Sequence, residues 1–183
     1  MLNKALGMVE YQTVSAGITA ADLMVKTANI EILQSSVVCP GKYITIITGE
    51  LSAITAAIDA AKVQLGGRMT DSFVLGNPHE DIFPAIYGGA VVENAKALGI
   101  LETFSAPAII VAADAAAKTS DVSLIELRLA RGMCGKSYML LTGDVAAVSA
   151  AIEVAKNKVG EEGLLLDSSV IANPDKSLWT SIL

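Results

Sequence analysis

An α+β fold built from two tandem copies of one domain is what the sequence predicts. Three observations lead there: the chain repeats itself from end to end, each repeat mixes β-branched runs with alanine-rich helical stretches, and turn residues punctuate both copies at matching places. Lys4-Ala5-Leu6-Gly7 returns as Lys96-Ala97-Leu98-Gly99 and Glu10 as Glu102. Ala20-Ala21-Asp22 matches Ala112-Ala113-Asp114, and Lys26-Thr27 matches Lys118-Thr119, all at an offset of 92. The offset becomes 94 at Gly41-Lys42 and Gly135-Lys136, and 96 at Asp71-Ser72 and Asp167-Ser168 and at Asn77-Pro78 and Asn173-Pro174. The two small insertions fall at expected element ends, where a change of length disturbs a core least. The domains are expected over residues 1–88 and 89–183.

Within a repeat the order read is strand, helix, strand, strand, helix, strand and a short helical tail. Ala5 to Tyr11 is a short apolar strand, and Val14 to Thr27 is a helix rich in Ala, Leu and Met that ends near Asn29. Ile30 to Val38 and Tyr43 to Thr48 are β-branched runs around Cys39-Pro40-Gly41-Lys42. The Pro-Gly turn makes them a hairpin with Cys39 at its tip. Leu51, Ile54, Ile58, Ala61 and Leu65 recur at helical spacing, as do Val145, Val148, Ile152, Ala155 and Val159 in the second repeat. Asp71 to Leu75 supplies the last strand, and Tyr87-Gly88-Gly89 begins the linker. Four strands with two helices on one face form a ferredoxin-like α+β arrangement.

Composition narrows the function classes. Of the 183 residues 52% are apolar and 17% charged, which excludes intrinsic disorder. Mean hydropathy is +0.54, yet no window reaches the roughly 18 uninterrupted apolar residues of a membrane span. Only 4% of residues are aromatic, so the apolar excess lies in small aliphatic side chains, and flat surfaces covered by other subunits are expected. The net charge of −6, without a run of like charge, excludes a nucleic-acid partner. Met1 to Gln12 lacks the apolar core and cleavage site of a secretory signal, and two cysteines permit at most one intrachain bridge, so a reduced, cytoplasmic chain is expected.

The Ala-Leu-Gly-x-x-Glu strand, the Asp22 to Lys26 helix face, the Gly-Lys hairpin and the Asn-Pro segment after the last strand resemble bacterial microcompartment shell domains. Two copies resemble the tandem, trimer-forming type, and nearly all of both repeats is covered. Within that group Val38-Cys39-Pro40-Gly41-Lys42-Tyr43 resembles the hairpin of the iron–sulfur T-type shell proteins of propanediol-utilisation microcompartments. The resemblance implies a homotrimer imitating a hexamer, tiling with other shell proteins, with encapsulated redox enzymes as further partners. It implies a [4Fe–4S] cluster at the central pore and a pore loop of Pro40, Gly41, Lys42, Cys134, Gly135 and Lys136. Lys26 and Lys118 fall where the family places a tile-edge lysine. Asn77 and Asn173 stand where the family often has Arg, and Asp175 replaces its His, which alters the expected edge contacts.

Each residue also has a plainer reading. A lone cysteine is most often a small buried hydrophobe, but the turn beside Cys39 favours an accessible thiol. One chain cannot supply the usual four thiolates of a cluster, whereas a threefold axis would bring three copies of Cys39 together. Cys134 lies one position away from the residue aligned with Cys39, which is Met133, and reads first as a thiol that binds nothing. Lys26 and Lys118 also read as solvated lysines paired with Asp22 and Asp114, contacts worth about 0.2–0.5 kcal/mol. His79, the only histidine, reads as a surface or packing residue, and with no activated nucleophile pair an enzyme is not expected. A shell pore for a small metabolite without a cluster, and a ferredoxin-like regulator binding an effector between subunits, are the competing functions.

Overall fold

The computed structural model describes residues 5–92 and 95–183; Lys4 of the first repeated motif lies outside them, as does the start of the Met1 to Gln12 segment. The first repeat contains β1 (Ala5–Tyr11), α1 (Val14–Thr27), β2 (Ile30–Val38), β3 (Lys42–Gly49), α2 (Leu51–Leu65), β4 (Met69–Leu75) and the short α3 (Ile82–Tyr87). The second contains β5 (Ala97–Thr103), α4 (Ala106–Thr119), β6 (Val122–Arg128), β7 (Ser137–Gly143), α5 (Val145–Gly160), β8 (Leu165–Ile171) and α6 (Lys176–Ile182). Both sheets are antiparallel, in the orders β2-β3-β1-β4 and β6-β7-β5-β8, as the ferredoxin-like reading requires.

The repeats agree even in their irregularities. Ala5 faces Gly49 and Tyr11 faces Tyr43, as Ala97 faces Gly143 and Thr103 faces Ser137. The register slips after Glu10 and, 92 residues later, after Glu102. Matching slips in β2, between Ile32 and Gln34, and in β6, between Leu124 and Glu126, complete the correspondence.

The alanine-rich helices exist because the sheet demands close approach. A Cβ on Gly7 would lie 2.6 Å from Ile54 Cγ2, and one on Gly99 would lie 2.6 Å from Leu141 Cδ1 and 2.9 Å from Val148 Cγ1. The glycine of the repeated Ala-Leu-Gly motif is therefore the point where the second helix of each repeat touches its sheet. Around Gly7, Val9, Ala20, Met24, Ile47, Ile54, Ala57 and Ile58 form the core of the first repeat. Its α1 starts on Thr13, whose hydroxyl accepts the Ala16 N–H at 3.4 Å.

Side chains alternate across a strand, so Leu98 and Ile100 face away from α5. On that side Leu98, Ile125 and Leu140 pack with Leu178, Trp179 and Ile182 of α6, and the single tryptophan closes the second face of this sheet. By compactness the chain groups into two units that exchange segments between repeats. Unit 1 takes the described residues up to Pro78 with Ser105–Ala108 and Ala130–Gly135; unit 2 takes His79–Phe104, Ile109–Leu129 and Lys136–Leu183. Among the described residues no helix is long and apolar enough to cross a membrane.

Candidate functional site

The β2–β3 hairpin closes on a cis Cys39–Pro40 bond and on Gly41, whose φ of +102° suits only glycine and whose N–H donates to the Val38 carbonyl at 2.9 Å. Cys39 is half-buried with a free thiol. Its backbone N–H donates to the Ala130 carbonyl at 3.3 Å, so within unit 1 the two hairpin tips lie side by side.

The second tip is built differently. Nine residues separate Arg128 from its partner Tyr138, against seven between Ser36 and Ile44, so the two added residues sit at the tip itself. Ala130, Gly132, Cys134 and Gly135 all adopt positive φ. Cys134 is exposed, at φ +52°, and is likewise a free thiol. A Cβ on Gly135 would lie 3.3 Å from both Lys42 Nζ and Pro40 Cδ, so this glycine lets the two tips meet.

The two Gly-Lys turns, alike in sequence, have unlike environments. Lys42 Nζ donates to Glu10 Oε1 at 2.7 Å. Glu10 is 0% exposed and the Lys42 side chain 19% exposed. The other carboxylate oxygen accepts the Ala106 N–H at 2.9 Å, at the start of α4. Burial pushes the Glu10 carboxyl above its ordinary value, against the opposing pull of Lys42 and the Ala106 N–H. Lys136, by contrast, is exposed, and its counterpart carboxylate Glu102 is only half-buried.

The two lysines expected at the tile edge lie on helix faces. Lys26 donates to Asp22 at 2.7 Å with both side chains mostly in solvent. Lys118 makes the same contact with Asp114, but Asp114 is buried and its Oδ1 also accepts the His79 N–H at 2.8 Å. His79 is itself held in a turn, its Nδ1 accepting the Asp81 N–H at 3.3 Å. Sequence reasoning missed the junction in which Glu10, Asp71 and Ser105 take part. The signals available were a lone carboxylate inside an apolar strand and a serine before Ala-Pro at a helix start.

The hairpin thus offers one softly nucleophilic, half-accessible sulfur on a backbone pinned from both sides. No group of three or more His, Cys, Asp or Glu side chains gathers among the described residues.

The BMC domain model matches residues 5–78 and 97–174, one match for each repeat. The chain is 40% identical to the bacterial microcompartment shell protein PduT of Citrobacter freundii, across 100% of this chain and 99% of that one. It is 37% identical over 84 residues to the microcompartment shell protein PduA of the same organism, covering 45% of this chain and 90% of PduA. Among solved structures, a microcompartment protein from Desulfitobacterium hafniense superposes with a TM-score of 0.85 at 41% identity, over 97% of this chain and 98% of that one.

Proposed function

The chain belongs to the BMC-domain family of bacterial microcompartment shell proteins, and from that premise we propose that it forms a homotrimer whose three Cys39 thiolates hold a [4Fe–4S] cluster at a central pore. Its role is structural rather than catalytic: a tile in the shell of a microcompartment in the cytoplasm, with residues 1–88 and 89–183 as its two shell domains. Six similar domains then surround one axis, and Pro40, Gly41, Lys42, Cys134, Gly135 and Lys136 rim the pore.

The observation that carries this reading is the free, half-buried Cys39 thiol at a hairpin tip in a chain similar to PduT along its whole length. The donor chemistry fits, because thiolate is the usual ligand of iron in such clusters and three copies supply three of four irons. The fourth iron would be left to water or an external thiol. When bound, the cluster supplies one-electron redox chemistry, for passing electrons across the shell or for delivery of the intact cluster to enzymes inside.

Anaerobic purification and reconstitution test the reading directly. Light scattering is expected to give a trimer, and chemical assay about four irons and four sulfides per three chains. A stable monomer of 18.9 kDa at micromolar concentration overturns the tile and the cluster together. A trimer that binds no iron leaves a cluster-free metabolite pore, and one that never assembles into sheets leaves an effector-binding regulator.

Lys26 and Lys118 are assigned to the edge between trimers. Lys26→Asp is expected to weaken the assembly of sheets or shells under electron microscopy while light scattering still reports the trimer. Sheets as extensive as those of the parent protein would remove the edge assignment. Lys118→Asp is expected to behave in the same way.

A further inference from the structure

Within unit 1 the first repeat grips the start of a helix from the second. The Ser105 hydroxyl donates to Asp71 Oδ2 while accepting the Ala108 N–H at 3.1 Å. The next residue, Ala106, donates its N–H to Glu10 Oε2 at 2.9 Å, and Lys42 holds the other Glu10 oxygen. Asp71 is aimed by its own backbone, since its Oδ1 accepts the Ser72 N–H at 2.7 Å. Glu10 and Asp71 are cross-strand partners, and the carboxylates meet the positive end of α4.

The repeat offsets carry every member of this junction to a second place in the chain. Glu10, Lys42 and Asp71 become Glu102, Lys136 and Asp167; Ser105 and Ala106 become Thr13 and Val14. Two members of the second cradle are placed in the same way. Glu102 and Asp167 are cross-strand partners on β5 and β8, and Asp167 Oδ1 accepts the Ser168 N–H at 2.8 Å, as Asp71 Oδ1 accepts that of Ser72. The second helix start is ready as well. Thr13 already accepts the Ala16 N–H, as Ser105 accepts that of Ala108, so its hydroxyl proton is available, as is the N–H of Val14 in the unsatisfied first turn of α1.

Burial separates the filled junction from the open one. Glu10, Ser105 and Ala106 are buried, whereas Asp167, Lys136 and Thr13 are exposed. Two apolar positions differ between the repeats in the same sense: Ile18 on α1 is 53% exposed and its counterpart Ile110 is 0% exposed; Val37 is 55% exposed and Leu129 5%. Each chain therefore carries one occupied junction and two complementary empty halves, the signature of a head-to-tail contact.

We propose that the Glu102–Lys136–Asp167 cradle of one copy receives the Thr13–Val14 start of α1 from a second copy of this chain. The Thr13 hydroxyl donates to Asp167, and the Val14 N–H donates to Glu102 as Lys136 pairs with that carboxylate. This rests on the trimer proposed above and names the contact that closes it.

Two sets of full-length variants test the proposal. Glu102→Ala with Asp167→Ala is expected to raise the concentration at which trimers dissociate in sedimentation velocity by at least about tenfold, because truncating one side of a buried, hydrogen-bonded charge pair weakens an interface strongly. Asp167 is exposed and Glu102 only half-buried in the single chain, so its fold is expected to survive, as circular dichroism would record. Thr13→Cys with Asp167→Cys is expected to give, on oxidation, covalent species of two and three chains absent from either single variant. Asp71→Cys with Ser105→Cys is expected to bridge within one chain and run as a monomer. A parent trimer that is not weakened in the first variant and not cross-linked in the second overturns the cradle and leaves the trimer standing. A parent protein that is itself monomeric overturns both.

Discussion

Replacing Cys39 with serine is expected to abolish iron–sulfur binding, whereas Cys134→Ser is expected to keep most of it. The difference follows from position and symmetry. Cys39 lies in the tight tip between Val38 and Gly41, while Cys134 is exposed on the longer loop, one place removed from the residue aligned with Cys39. On a threefold axis any side chain appears three times. Three Cys39 thiolates therefore satisfy three equivalent irons, and three Cys134 thiolates cannot all serve as the one remaining ligand. An iron left to water near solvent also makes the cluster easier to oxidise or lose than one held by four cysteines. Iron, sulfide and the paramagnetic signal after reduction, measured on both variants reconstituted without oxygen, decide the matter. Full occupancy in Cys39→Ser defeats the assignment, and equal loss in both variants replaces the threefold site with a mixed one.

The repeat makes most of the fold legible in the sequence itself. Its offsets locate the strands, the helices and the two insertions, because backbone hydrogen bonding and the spacing of apolar residues are local properties that leave local marks. The contents of the junction were not legible in the same way. Glu10 and Glu102 stand in equivalent strands, and Lys42 and Lys136 follow equivalent glycines. What buries one pair and exposes the other is the start of α4, 96 residues along the chain from Glu10, and no local pattern reports such an approach. Asp114 shows the same limit. Its i,i+4 contact with Lys118 is readable from spacing, but the His79 N–H that shares its carboxylate comes from 35 residues away. The sole tryptophan was silent for a related reason: Trp179 lies in a seven-residue helix whose apolar side matters only once the face formed by Leu98, Ile125 and Leu140 exists to receive it.

Lys42→Ala is expected to destabilise the fold by about 3–5 kcal/mol at neutral pH, since removing one partner of a buried ion pair leaves an uncompensated charge. That is a large share of the roughly 5–15 kcal/mol that holds a domain folded. Glu10 would keep the Ala106 N–H but lose its cation, with no exposure to water in the parent fold to compensate. Adding Glu10→Gln to Lys42→Ala is expected to recover much of the loss, because the amide oxygen still accepts the Ala106 N–H and carries no charge. The pH dependence has a definite sign. Burial already places the folded Glu10 carboxyl above the ordinary 4.5, so the folded chain keeps a proton that the unfolded chain releases. The stability this contributes is complete below 4.5 and is lost as pH rises through the folded value. Without Lys42 the folded value rises further and the loss deepens. The penalty of Lys42→Ala should therefore shrink as pH falls toward 4.5 and vanish from the pH profile when Glu10→Gln is present. Urea midpoints at several pH values, compared at one fixed chain concentration because association contributes to stability, measure this. A penalty below about 1 kcal/mol, the size of an exposed pair, or one unchanged by pH or by Glu10→Gln, would show that the charge on Glu10 is not what Lys42 supports.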